Sequence, residues 1–278
     1  MGVIVFLKMT PLISNNMFPK NIIQSILFVI ILIIISFSVI AFFEFITVNR
    51  AGLLLIRDLL SYLLSFIVLG LFAKKKITDF NISNTKYNIS LLLMLVSLTF
   101  TIAIGLPSFY LLSNFFNNTI TPIDNSSLIF SLVSIAILPA IFEELIIRGI
   151  LFDNLIKNNS LIKSIIITTI IFSAIHMSIP KLPMLVLGAV FTCYIYYKTK
   201  NILYAMLIHL TTNVVSVFEN WLVQPTSDSV GILNMYGNNT LYILIFSFLF
   251  LIIGLIYLKL NIEKTLIFLF ENCKINPE

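Results

Sequence analysis

The stretch Ile141-Phe-Glu-Glu-Leu-Ile-Ile-Arg148 sets two glutamates and an arginine into a run otherwise made of Ile, Leu and Phe. The residues before it, Ser131-Leu-Val-Ser-Ile-Ala-Ile-Leu-Pro-Ala140, and after it, Gly149-Ile-Leu-Phe152, read as membrane-spanning helix. A charged side chain at bilayer depth costs roughly 2.5–3.5 kcal/mol on insertion scales. Three in one span therefore point to a polar site buried between helices rather than to an isolated ion pair.

Composition supports the membrane reading. Of the 278 residues, 59% are hydrophobic and only 10% are charged, which excludes an ordinary soluble globule. The run Ile22 to Phe43 can cross a hydrocarbon core of about 30 Å and is too long for a signal-peptide core. Further spans are expected at 52–73, 89–116, 127–156, 161–179, 183–198, 202–222 and 240–260. The fold class is an all-α polytopic membrane protein of about eight helices, with the site between spans four, five and seven.

With both termini cytoplasmic, the inner segments carry Lys8, Lys20, Lys74, Lys75, Lys76, Lys86, Lys157, Lys163, Lys198, Lys200, Lys259, Lys264 and Lys274. The outer ones carry only Arg50, Arg57 and Lys181, as the positive-inside rule requires. The net charge of +5 is thus a topology signal, and no basic stripe with interleaved aromatics points to nucleic acid. The Ile, Asn and Lys richness suits an AT-rich bacterial genome, hence a bacterial plasma membrane. Cys193 and Cys273 have neither CxxC spacing nor an outer pair, so disulfides and thiolate metal sites are not expected. The tail beyond Asn261, with Leu266-Ile-Phe-Leu-Phe270, is expected along the inner membrane surface. No internal repeat of the kind that builds transporter sites is evident.

Three polar constellations stand out. Glu144 and Arg148 are four residues apart and share a helix face, so they can neutralise each other. Glu143 is rotated about 100° from that face and stays available for chemistry. Pro139, four residues earlier, removes a backbone bond to Ile135 and should kink the helix. The second constellation is Phe172-Ser-Ala-Ile-His176, with an aromatic one turn before a histidine. The third is His209-Leu-Thr-Thr-Asn213, whose two side chains project toward one point as inter-helix glue or as a clamp for an oxyanion. At 1.5 Å per residue Glu143 and His176 lie about 22–26 Å from the turn near Asn158–Ser160, but His209 lies only about 12 Å beyond its own turn near Asn201. A recessed turn or a tilted span must make up the difference.

Together these motifs resemble the CAAX-protease and bacteriocin-processing (CPBP, or Abi) family of intramembrane proteases, whose pattern is E-E-x-x-x-R, F-x-x-x-H and H-x-x-x-N on successive helices. The resemblance covers roughly residues 125–225, a catalytic core between an N-terminal membrane region (1–124) and a last span with its tail (226–278). It implies that Glu143 activates a water with help from His176, and that His209 and Asn213 stabilise the oxyanion. Glu144, Arg148 and Phe172 are then supporting residues. Metal-free glutamate catalysis is the expectation, with zinc on Glu143, His176 and His209 as the alternative. The implied partners are the lipid bilayer and a peptide or membrane-protein substrate, with a site near the cytoplasmic side. The rival reading is a non-catalytic immunity or scaffold protein using the same residues as a structural network.

Overall fold

Inside a bilayer a backbone N–H or C=O finds no water, so a chain this apolar satisfies its polar groups within helices. The computed structural model describes residues 18–45, 51–82, 85–116, 127–222 and 236–275, and no strand occurs among them. Apart from two single 3₁₀ turns, these residues form eight helices: α1 (Ile22–Phe45), α2 (Ala51–Ala73), α3 (Tyr87–Phe115), α4 (Leu128–Asn158), α5 (Leu161–Ile175), α6 (Leu182–Thr199), α7 (Ile202–Leu222) and α8 (Thr240–Ile275). Seven of the eight are long and apolar enough to cross a membrane, and the chain is an integral membrane protein.

The exception is α5. Its 15 residues rise only about 22 Å, short of the bilayer core and of the span expected at 161–179. The helix stops because Met177 adopts a left-handed backbone (φ 44°), uncommon for a side chain of this kind. Pro180 then disfavours helix at Ile179. The C-cap of α5 is His176 itself. At the other end of the chain, α8 runs on to Ile275, so the tail expected to lie along the membrane surface continues the last helix.

α4 is the centre of the bundle. It packs against α2 on one side and α7 on the other, while α5 pairs with α6 and α3 with α7 and α8. Every residue from Leu145 to Phe152 is buried, Arg148 included. Gly149 belongs to this stretch because a Cβ there would come within 2.4 Å of the Phe80 ring. The outer helices bury little, and side chains such as Ile23, Phe250 and Ile253 point to where lipid would be.

Two prolines lie inside the helices, Pro107 in α3 and Pro139 in α4. A π-helical segment, Thr101–Gly105, precedes Pro107, and another, Leu132–Ile137, precedes Pro139. Wider turns of this kind absorb the bond that proline removes. A third π segment, Leu145–Phe152, carries Arg148.

One end of the bundle is tied by charge. Asp153 accepts from Lys75 at 2.7 Å and from Lys157 at 2.8 Å, with Lys200 at 3.9 Å, joining α2, α4 and the α6–α7 turn. That turn is recessed. Asn201 is only 2% exposed, its amide donates to Thr85 Oγ1 at 2.8 Å, and Ile202 N–H donates to Asn81 O at 3.0 Å. The segment before α3 therefore lies over the start of α7, and His209 reaches the depth of Glu143 despite its short distance along the helix.

Candidate active site

All seven residues singled out in the sequence line one cavity of about 900 Å³. α4 supplies Glu143, Glu144 and Arg148, α5 supplies Phe172 and His176, and α7 supplies His209 and Asn213. The site thus lies between helices four, five and seven, as the motif order implied.

Glu143 is the carboxylate left free along its own helix. Its Oε1 accepts from Tyr62 O–H at 3.1 Å, across from α2. Its Oε2 is buried, accepts no hydrogen bond, and faces two imidazoles: His176 Nε2 at 3.7 Å and His209 Nε2 at 4.0 Å. Such separations suit a small oxygen species held between the three groups. The tautomers follow from the partners. His176 Nδ1 lies 2.8 Å from the Phe172 carbonyl, which can only accept, so Nδ1 carries the proton and neutral Nε2 offers a lone pair to the site. His209 Nδ1 lies 2.8 Å from Glu144 Oε1, so the same logic turns its Nε2 inward.

Glu144 does more than the helical spacing indicated. It is 1% exposed, and its Oε1 accepts from both Arg148 and His209 at 2.8 Å. Arg148, also 1% exposed, donates a second bond to Thr192 Oγ1 on α6 at 2.8 Å and lies 4.4 Å from the centre of the Phe172 ring. Phe172 in turn contacts His176 (ring centres 4.7 Å) and His209 (5.9 Å, edge-on). The pair expected only to neutralise itself along one helix also ties α4, α5, α6 and α7 together and orients one of the two histidines.

Asn213 is placed less freely than the clamp reading supposed. Its Nδ2 donates to the Ile135 carbonyl at 3.1 Å, the backbone group that Pro139 cannot satisfy. One amide hydrogen is therefore spent on α4 and the other remains for the cavity. Tyr62 and Thr192 are the participants that sequence reasoning missed. Tyr62 sits in Leu-Leu-Ser-Tyr-Leu-Leu, where nothing distinguishes it from a core aromatic, and it stacks on Phe142 (5.7 Å between ring centres, 11° between planes).

The donor set does not match zinc as it stands. Tetrahedral bonds of about 2.0–2.1 Å place ligand atoms about 3.4 Å apart, closer than the 3.7 and 4.0 Å found here. Among the described residues no group of three His, Cys, Asp or Glu is arranged to hold a metal.

Residues 125–215 match the family model described as Rce1-like, type II CAAX prenyl endopeptidase. This segment is similar to that family. It spans about a third of the chain, from just before α4 to within α7, and contains all three motifs. No curated protein and no solved structure gives a significant match.

The cavity lies away from the end of the bundle tied by Asp153 and extends beyond the matched segment. It is lined by Ser113 near the end of α3, Ser134 near the start of α4, Ser178 to Lys181 between α5 and α6, and Glu219 near the end of α7.

Proposed function

We propose that this protein is an intramembrane endopeptidase that hydrolyses peptide bonds with a glutamate-activated water. The observation that carries the reading is Glu143 Oε2, buried and without a hydrogen-bond donor, facing both imidazoles inside a cavity large enough for a peptide segment. Glu144 also keeps a buried, unpaired Oε2, but Glu144 is held by Arg148 and His209, whereas Glu143 Oε2 is the one that both imidazole Nε2 atoms face across the cavity. That argues for catalysis over the non-catalytic immunity or scaffold reading.

In the proposed cycle a water lies between Glu143 and His176, with the His176 Nε2 lone pair orienting it. Glu143 takes one proton as the hydroxide adds to the peptide carbonyl. The charge that develops on that oxygen is met by the second amide hydrogen of Asn213 and by His209 Nε2–H, with His209 entering the cycle as an imidazolium whose Nδ1–H is held by Glu144. Glu143 then returns its proton to the leaving amine, and the C–N bond breaks. The family description names CAAX prenyl endopeptidases. The reading here is broader: a peptide or membrane-bound chain presented within the bilayer.

The test compares peptide termini by mass spectrometry in cells making the wild-type chain and cells making Glu143→Gln at equal level. Termini found only with the wild type support proteolysis and reveal the substrate. Identical termini alongside a retained cellular phenotype would move the protein to the immunity or scaffold class.

Three further outcomes follow from the geometry. Tyr62→Phe removes the hydroxyl that donates to Glu143 Oε1 while keeping its stack on Phe142, so kcat should fall roughly tenfold, about 1.4 kcal/mol of barrier, with unchanged thermal stability. Unchanged kcat would show that Tyr62 only packs. A chelator should leave activity intact, since the donor spacing does not suit zinc. Inhibition by chelator that added zinc reverses would overturn that. Finally, Ser216→Cys should react with a membrane-impermeant maleimide in intact cells, as an outward-opening cavity requires. Labelling only after the cells are opened would reverse the orientation.

A further inference from the structure

α7 lines the cavity with more than the residues of its motif. Below His209 and Asn213 come Ser216 and Glu219, the last ten residues from His209 and therefore about 15 Å farther along the helix. Glu219 is 8% exposed. Tyr110 O–H from α3 donates to its Oε1. Tyr110 packs with Leu106, Phe109, Val215 and Tyr236. Tyr236, just before α8, keeps its hydroxyl buried without a hydrogen-bond partner, and burial together with the nearby Glu219 carboxylate pushes that hydroxyl's pKa up.

A buried carboxylate calls for a cation or a full set of donors. No ion pair reaches Glu219 among the described residues. Along the chain no lysine or arginine occurs between Lys86 and Arg148, or between Lys200 and Lys259, and Lys181, which lines the same cavity, makes no ion pair with Glu219. Carboxylate oxygen, phenol hydroxyls and aromatic faces in one apolar recess are the chemistry that recognises an organic cation.

We propose that Glu219, with Tyr110 and Tyr236, forms a subsite for a positively charged nitrogen of the peptide substrate, either a lysine or arginine side chain or a free terminal amine. This rests on the endopeptidase reading and narrows its substrate class. An extended peptide rises about 3.3 Å per residue, so the cation sits about four or five residues from the bond cleaved. Glu219 acts by binding and takes no part in the proton transfers at Glu143.

The test uses the full chain in proteoliposomes and a set of dodecapeptides of leucine and alanine, each with one lysine or its uncharged counterpart norleucine at a varied position. Every peptide is made with a free and with an acetylated N-terminus, which separates a side-chain cation from a terminal amine. The wild type should cleave best four or five residues from the charge, with at least a tenfold preference over norleucine or over the acetylated end. In Glu219→Gln that ratio should fall to about one, Glu219→Asp should keep most of it, and Glu219→Lys should favour glutamate in the same position. Cleavage without charge preference, or a preference that survives Glu219→Gln, overturns the subsite and leaves the protease reading standing.

A second arm does not depend on cleavage. The Glu143→Gln protein is titrated with the lysine and norleucine dodecapeptides while the emission of Trp221, the single tryptophan, is followed. Tighter binding of the lysine peptide by tenfold or more, lost in the Glu143→Gln/Glu219→Gln double variant, supports the subsite even if no peptide is cut. Equal binding of the two peptides overturns it.

Discussion

Glu143→Gln is expected to abolish peptide cleavage, with kcat falling about 10²–10⁴-fold, the range that a positioned general base contributes. The substitution is close to isosteric. The amide oxygen can still accept from Tyr62, which now lies 3.1 Å from Glu143 Oε1. The amide nitrogen can replace Oε2 opposite the His176 and His209 nitrogens, 3.7 and 4.0 Å away. What disappears is the ability to take a proton. Folding should therefore be spared, and melting in detergent should follow the wild type. Single-turnover cleavage measured alongside the melt separates these effects. Full activity in a folded Glu143→Gln protein would remove Glu143 from the role of base. Loss of both activity and stability would mean that its charge is structural.

Arg148→Ala should be the most destabilising single change in the site. It removes the 2.8 Å bond to Glu144, the 2.8 Å bond to Thr192 and the packing on Phe172 at once. Glu144, 1% exposed, is left with His209 alone. Breaking one side of a buried ion pair costs about 3–5 kcal/mol because the remaining charge has lost its partner. For a chain of this size that corresponds to a fall in melting temperature of about 10 °C. Arg148→Lys should recover only part of the loss, since an ammonium keeps the charge but not the fork that reaches both Glu144 and Thr192. The double variant Glu144→Gln/Arg148→Met, which removes both charges, should be more stable than Arg148→Ala. Equal melting of Arg148→Ala and wild type would contradict the role given to this pair. The same variant should also lose activity, because Glu144 orients His209.

Helix number and the helices that carry the site were legible because membrane insertion is a local problem. Twenty apolar residues must form a helix wherever they sit, so seven long helices follow directly from the apolar runs. The short α5 escaped this logic. Its boundary depends on the left-handed turn at Met177, which apolar composition does not encode. Charged residues in apolar runs were equally legible, since each is too costly to keep without a partner. The pairing of Glu144 with Arg148 followed from helical spacing alone.

Partners across helices could not be read in this way. Nothing near Tyr62 marks it as a neighbour of Glu143, and nothing near Thr192 marks it as a partner of Arg148. The Asn213 amide serves a carbonyl 78 residues away. The depth of His209 depends on a turn recessed beneath Asn81 and Thr85. The sequence by itself determined a helical membrane protein with buried carboxylates, histidines and an arginine on three particular helices, because burial cost and helical period act within one segment. Only the tertiary structure decided which carboxylate oxygen faces the two imidazoles, which nitrogen of each histidine faces it, and that the cavity extends to Glu219. Those outcomes depend on the relative depth and rotation of packed helices, and a residue's neighbours along the chain do not specify either.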